Sequence, residues 1–107
     1  MTECIFKKNN NNDISEFEIS GHTGFEIEGR DVLCAAVSAL VSHTIGAIHE
    51  LSDVACINIV DEDKPSVTFK LTDNTDDETA QLFLKALFSS MEDLEYKFPK
   101  EIKVISL

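Results

Sequence analysis

Apolar and polar residues alternate in five short segments of the chain and recur at helical spacing in two longer ones. The alternation is clearest over residues 67–71, where Val, Phe and Leu alternate with Thr and Lys. This pattern is typical of a half-buried strand. Comparable patterns predict the other strands over residues 2–8, 14–19, 55–60 and 101–107.

Two helices separate these strands. Asp31 is a good N-cap, and a helix that follows it would run to about Leu51 with Cys34 as its third residue. A second apolar stripe at helical spacing ends before Pro99. The resulting order, ββαββαβ, predicts an α+β fold in which a mostly antiparallel sheet packs against two helices.

The length and composition predict a single domain over residues 1–107. The chain has 107 residues, of which 43% are hydrophobic, and this is sufficient for one core. Apolar runs such as residues 32–37 are short for a bilayer span, and no basic-then-apolar leader follows Met1. We therefore expect a cytoplasmic protein with no membrane partner. The three cysteines agree with a cytoplasmic location, since their odd number and wide spacing predict neither a disulfide framework nor a zinc ribbon.

The chain is strongly acidic, and this affects the partners that we expect. Nine Lys and Arg face twenty Asp and Glu, which gives a formal net charge of -11. Such a surface repels phosphate backbones, so we expect no direct binding to nucleic acid. It attracts basic proteins, although the same charge could serve only to keep the protein in solution.

Residues 21–38 contain two side chains that could take part in catalysis, one in a glycine-containing loop and one near the start of a predicted helix. His22 lies in a loop that holds Gly21, Gly24 and Gly29, and Cys34 follows in the first part of the next helix. Amides at a helix start stabilise the thiolate that a nucleophilic cysteine needs. Imidazole titrates near neutral pH and can act as the base. The alternative for Cys34 is a small buried side chain, which is how most free cysteines behave.

Three other residues have possible supporting roles. Gly21 precedes the histidine, and Ser38 follows Cys34 by one helical turn and could hydrogen-bond the substrate. Asp31 could orient His22, but we expect it to cap the helix. A metal site on His22 and Cys34 lacks further ligands nearby, so we expect no metal and no cofactor.

The two blocks Gly21-His22 and Gly29-x-Asp31-x-x-Cys34-Ala35-Ala36-Val37-Ser38 closely resemble the ribosomal-processing cysteine protease Prp family. The resemblance implies a catalytic dyad of His22 and Cys34. It also implies a homodimer that removes the N-terminal extension of a large-subunit ribosomal protein during ribosome biogenesis. Such a substrate is basic, so the acidic charge would steer it to the enzyme.

Two non-enzymatic alternatives remain at this stage. The chain could be a ribosome-assembly factor that binds a basic ribosomal protein through its acidic surface. It could also be a small dimeric structural module in which Cys34 is only buried. A protease differs from both because one of its three cysteines should react fast with iodoacetamide near neutral pH.

Overall fold

The computed structural model describes residues 1–21, 30–61, 63 and 66–107, with the side chains of Arg30 and Asp31 outside this description. The predicted order ββαββαβ and the α+β fold are confirmed. The strands are β1 (Thr2–Lys8), β2 (Ile14–Ser20), β3 (Cys56–Asp61), β4 (Ser66–Leu71) and β5 (Ile102–Ser106), and the helices are α1 (Arg30–Leu51) and α2 (Glu78–Lys97).

The five strands form one sheet in the order β3-β4-β2-β1-β5. The β1–β2, β2–β4 and β3–β4 pairs are antiparallel, and β5 joins β1 in parallel. The β1–β2 turn depends on Asn9, whose side-chain oxygen accepts from the backbone amides of Asn11 and Asp13. Asn12 adopts a positive φ of 65°, a conformation that Asn tolerates better than most residues. The asparagine run therefore closes the hairpin.

The core lies between one face of the sheet and the two helices. Its centre is aromatic: the rings of Phe17 and Phe69 stack at 5.4 Å, and Phe88 of α2 meets Phe6 of β1 edge-on at 5.0 Å. Phe6, Phe17 and Phe69 are fully buried. This cluster joins the three central strands to α2, and each aromatic pair adds about 0.5–1.5 kcal/mol beyond its buried area.

Helix α2 is held at its first turn by two polar side chains. Asp77 is the N-cap and accepts a hydrogen bond from the amide of Ala80 at 2.9 Å. The buried Gln81 side chain accepts from the backbone N–H of Ile14 and donates to the carbonyls of Ile14 and Thr75. Because these bonds satisfy its amide in the core, Gln81 fixes the helix against β2.

Helix α1 is apolar along most of its length. From Val32 to Leu51 it is long and apolar enough, by length and composition, to cross a membrane, with a mean hydropathy of 1.7 in its most apolar window. The prediction that the apolar runs are too short to cross a bilayer is therefore wrong for α1, judged by its length and its composition. One side of α1, with Val37, Val41 and Ile48, is buried in the common core. The expectation of no membrane partner stays a prediction.

Candidate active site

The end of β2 runs close to the start of the chain. Gly21 follows β2 directly and has a φ of +75°, a conformation that favours glycine. A β-carbon at this position would meet the backbone carbonyl oxygen of Met1. Gly21 therefore allows the chain to leave the sheet at a point where no side chain fits.

Helix α1 begins earlier than the sequence predicts. It starts at Arg30, so Asp31 is inside the first turn and Cys34 is the fifth helical residue. The prediction that Asp31 is the N-cap and Cys34 the third residue is wrong, because a cap precedes the first helical residue. A carboxylate in the first turn still interacts favourably with the helix dipole.

Cys34 lines a small cavity of about 40 Å³ where three parts of the fold meet. Met1, Thr2 and Gly21 come from the sheet end, and Leu33 and Cys34 come from α1. Lys100 and Glu101, from the turn between α2 and β5, complete the described wall. The Cys34 side chain is partly exposed. A thiol in this position can be reached by a ligand that enters the cavity.

Sequence reasoning missed Lys100 and Glu101. They lie 66 and 67 positions after Cys34 in the chain (100 − 34 and 101 − 34), and no local motif marks them. The parallel β1–β5 pair brings them to the site, with the amide of Thr2 donating to the carbonyl of Glu101 at 2.8 Å. A further bond from the amide of Glu101 to the carbonyl of Phe98 holds the turn. They are charged residues on the cavity wall and candidates for substrate contact.

The model of the cysteine protease Prp family matches residues 1–103. The chain belongs to this family. It is therefore a cysteine protease, as the residues around Cys34 predict. The ribosomal processing cysteine protease Prp of Bacillus subtilis is 26% identical over 107 residues, covering 97% of this chain and 96% of the relative.

Two solved structures superpose closely on this chain. A Streptococcus mutans protein superposes with a TM-score of 0.92 at 26% identity, covering 100% of this chain and 94% of the other. Staphylococcus aureus Prp, described as an essential ribosomal processing protease in complex with a substrate peptide, superposes with a TM-score of 0.90. That match has 20% identity and covers both chains fully. The ββαββαβ arrangement is thus the Prp fold.

The two other cysteines have environments that disfavour a thiolate. Cys4 is fully buried in β1, and burial, with a smaller contribution from Glu95, raises its pKa to about 12. Burial also raises the pKa of Cys56, whose sulfur lies 3.8 Å from Nε2 of the exposed His49. A thiolate is the reactive form of cysteine. Of the three thiols, Cys34 is the one that combines a helix start with a cavity.

The remaining predicted residues divide into those that the structure places and those that it does not describe. Gly21 shares the cavity with Cys34. Ser38 lines a separate cavity of about 100 Å³ between α1 and the sheet, together with Ile19 and Val67. His22 lies outside the described residues, and so does the side chain of Asp31. The structure therefore brings Gly21 and Cys34 together and puts Ser38 in a neighbouring cavity.

The metal alternative would use His22 and Cys34 as ligands. Within residues 1–21, 30–61, 63 and 66–107, no group of three or more His, Cys, Asp and Glu side chains could hold a metal ion. His22, one of the two ligands of that alternative, is outside these ranges. Thiolate chemistry of a cysteine protease requires no metal.

Proposed function

We propose that this protease cleaves the N-terminal extension from a large-subunit ribosomal protein precursor, with Cys34 as the nucleophile and His22 as the base. The observation that carries the proposal is the position of Cys34, which is partly exposed at a helix start and lines a cavity. The relative from Bacillus subtilis is named as a ribosomal processing protease, and this name supports the choice of substrate.

The proposed reaction has two stages. His22 takes the proton from Cys34, the sulfur attacks the scissile carbonyl carbon, and the oxygen becomes an oxyanion. When the tetrahedral intermediate collapses, the C–N bond breaks, and the protonated His22 gives its proton to the leaving amine. Water, deprotonated by His22, then attacks the thioester, which releases the extension as a free acid and returns the proton to Cys34.

The surroundings of Cys34 suit this role in two ways. Cys34 follows the first turn of α1, whose free backbone amides favour negative charge at that end of the helix. The Lys100–Glu101 turn and Gly21 enclose one side of the sulfur, and the hydrogen bonds of Thr2 and Phe98 hold that turn in place. A fixed wall beside a nucleophile helps to position a peptide for attack.

The acidic net charge of the protein supports a basic substrate. The formal net charge of -11 creates an attractive field for ribosomal proteins, which are basic because they bind RNA. We place the reaction in the cytoplasm, where such precursors are made. The resemblance further implies that the enzyme works as a homodimer, and we include the homodimer in the proposal.

The experiment is incubation of the purified protein with the precursor of the large-subunit protein, followed by mass spectrometry of the products. We expect a single cut that removes the N-terminal extension, and we expect a folded Cys34→Ala variant to leave the precursor intact. A Cys56→Ala variant is the matched control and should cleave normally. An intact precursor with the wild-type enzyme, or normal cleavage by Cys34→Ala, would refute the proposal.

A further inference from the structure

A second cavity lies beside the one that Cys34 lines, at the same end of the sheet. It has a volume of about 100 Å³ and lies between α1 and the strands β2 and β4. Ser20, the last residue of β2, pairs with Glu3 of β1 on one side and with Ser66 of β4 on the other. The cavity of Cys34 is on the β1 side of this strand end, and the second cavity is on the β4 side. The two cavities are therefore neighbours across the end of β2.

The described floor of this second cavity, which we call the valine cavity, is apolar. It consists of Ile19 of β2, Val67 of β4, and Val37 and Val41 of α1. Ile19 and Val67 are opposite one another in the antiparallel β2–β4 pair, so their side chains share one face of the sheet. Val37 and Val41 are one helical turn apart and are buried. A group that enters the cavity would therefore contact aliphatic carbon of both the sheet and the helix.

The mouth of the valine cavity is polar but uncharged. Ser38 and Ser42 of α1 are exposed, and Ser66 of β4 is half-buried. Although charged residues make up 27% of the chain, none occurs among the described residues that line this cavity. An apolar floor with a few polar groups beside it is typical of a site for a small ligand. The described wall thus suits an uncharged apolar group and offers a basic side chain no carboxylate.

Helix α1 sets the distance between the valine cavity and Cys34. Ser38 follows Cys34 by four residues (38 − 34), which places it about 6 Å further along the helix axis. An extended peptide advances about 3.3 Å per residue, so this distance corresponds to about two residues of a bound peptide. A peptide that runs along α1 with its scissile bond at Cys34 would therefore bring a side chain to the valine cavity within about three residues of the cleaved bond.

We propose that the valine cavity binds an aliphatic side chain of the substrate and that Val41 and Val67 set the size that it accepts. The inference rests on the proposed function, since it assigns one residue of the peptide that Cys34 cleaves. An apolar cavity of about 150 Å³ is known to bind benzene. A cavity of about 100 Å³ fits a smaller group, such as the side chain of Val, Ile or Leu. The acidic surface then attracts a basic precursor, and the valine cavity selects an aliphatic residue near the cleaved bond.

A cycle of enzyme and substrate variants tests this assignment. Each aliphatic residue within three positions of the cleaved bond in a precursor peptide is replaced by Ala in turn. At one position we expect kcat/KM of the wild type to fall by at least about 10-fold, because the lost carbons no longer fill the cavity. Ser42→Leu places an aliphatic side chain at the mouth and should cause a similar fall with the unchanged peptide. Both enzymes should then cut the Ala peptide at nearly the same rate.

Ala39→Leu is the matched control for Ser42→Leu. It adds a leucine at an exposed position of the same helix, outside the described wall of the valine cavity. It should cut the unchanged peptide nearly as fast as the wild type. Iodoacetamide should label Cys34 equally fast in all three proteins, because neither leucine changes the nucleophile. Additive losses from the enzyme and peptide changes, or equal losses in Ser42→Leu and Ala39→Leu, would overturn the proposal.

A size-preference experiment tests the role of Val41. The aliphatic residue identified by the cycle is replaced by Leu in one peptide and by Phe in another. The wild type should cut the Leu peptide faster, whereas Val41→Ala enlarges the cavity and should lower the ratio of kcat/KM for Leu over Phe several-fold. An unchanged ratio in a folded Val41→Ala protein would contradict the assignment of Val41.

A binding measurement separates this inference from the proposed function, because it requires no cleavage. N-acetyl-leucine methylamide is titrated into the protein, and the methyl NMR signals of Val41 and Val67 are recorded. These signals should shift in the wild type and in Ala39→Leu, and should stay in place in Ser42→Leu. Such shifts in a protein that leaves the precursor intact would refute the proposed function and retain the aliphatic site. Cleavage of the precursor with no shift at either valine would retain the proposed function and overturn the valine cavity.

Discussion

The backbone carbonyl oxygen of Met1 lies where a β-carbon of residue 21 would be, so Gly21 is the residue that lets the chain start and the end of β2 meet. The two residues form part of the wall beside Cys34. The cavity that Cys34 lines therefore depends on an approach that a single added carbon would prevent.

Two glycine-to-alanine changes should have opposite effects on stability. Gly21→Ala combines a clash with Met1 and a left-handed φ, which costs an L-residue about 1–2 kcal/mol before the clash is counted. Gly46 lies within α1 with open space at its β-carbon position. Gly46→Ala should stabilise by about 0.5–1 kcal/mol. Urea unfolding of both variants checks the signs, and a stabilised Gly21→Ala protein would contradict the described geometry.

The sequence allowed prediction of the element order and most strand bounds, because alternation with period two directly reflects which face is buried. β1 shows this best, with the predicted span 2–8 matching Thr2–Lys8. The predicted start of α1 is wrong because an aspartate such as Asp31 is equally suitable as an N-cap and as a carboxylate within the first turn, and the helix begins at Arg30.

The candidate site could be predicted only where it is local in sequence. Gly21 and Cys34 occur in one short motif, and the structure places both on the same cavity. Lys100 and Glu101 reach that cavity through the parallel β1–β5 pairing, and single-sequence periodicity gives no information on which strands pair. Ser38 shares a helix face with Cys34 by spacing, yet it lines a different cavity.

The stability of the protein should depend on Cys4 at alkaline pH. Burial raises the pKa of Cys4 from 9.0 to about 12, so the folded state holds the thiol proton more tightly than the unfolded state. This contribution is fully present below about pH 9 and is lost as the pH rises towards 12. Over that window the wild type should lose about 1.4 kcal/mol per pH unit more than Cys4→Ala. Parallel urea-unfolding curves for the two proteins across this range would refute the buried-thiol assignment.

Thiol labelling should distinguish the three cysteines. Iodoacetamide at about pH 7 should modify Cys34 first, since burial disfavours the thiolates of Cys4 and Cys56. His22→Ala should slow the labelling of Cys34 strongly at about pH 6, where a partnered base matters most. Peptide mapping by mass spectrometry gives the three rates.

Two histidine variants serve as controls for the dyad. His43 packs edge-on against Phe83, and His49 contacts Cys56. Changing either to Ala should leave Cys34 labelling nearly as fast as in the wild type. If His43→Ala or His49→Ala removes the reactivity and His22→Ala does not, the base is misassigned.

Salt should slow the reaction with a basic precursor. A net charge of -11 accelerates encounter with a positive partner, and this effect is screened as the Debye length shortens from about 10 Å at 0.1 M to about 3 Å at 1 M salt. We expect kcat/KM for the full precursor to fall several-fold over this range. A short neutral peptide with the same cleavage site should respond much less, and identical responses would exclude steering.

The most direct test of the account is the covalent intermediate on Cys34. The enzyme is mixed with a precursor peptide, quenched in acid during turnover, digested and analysed by mass spectrometry. We predict a thioester that joins the new C-terminus of the released extension to Cys34. It should be absent from Cys34→Ala, which should also fail to cleave. A thioester on Cys4 or Cys56, or undiminished cleavage by the Cys34→Ala protein, would contradict Cys34 as the nucleophile.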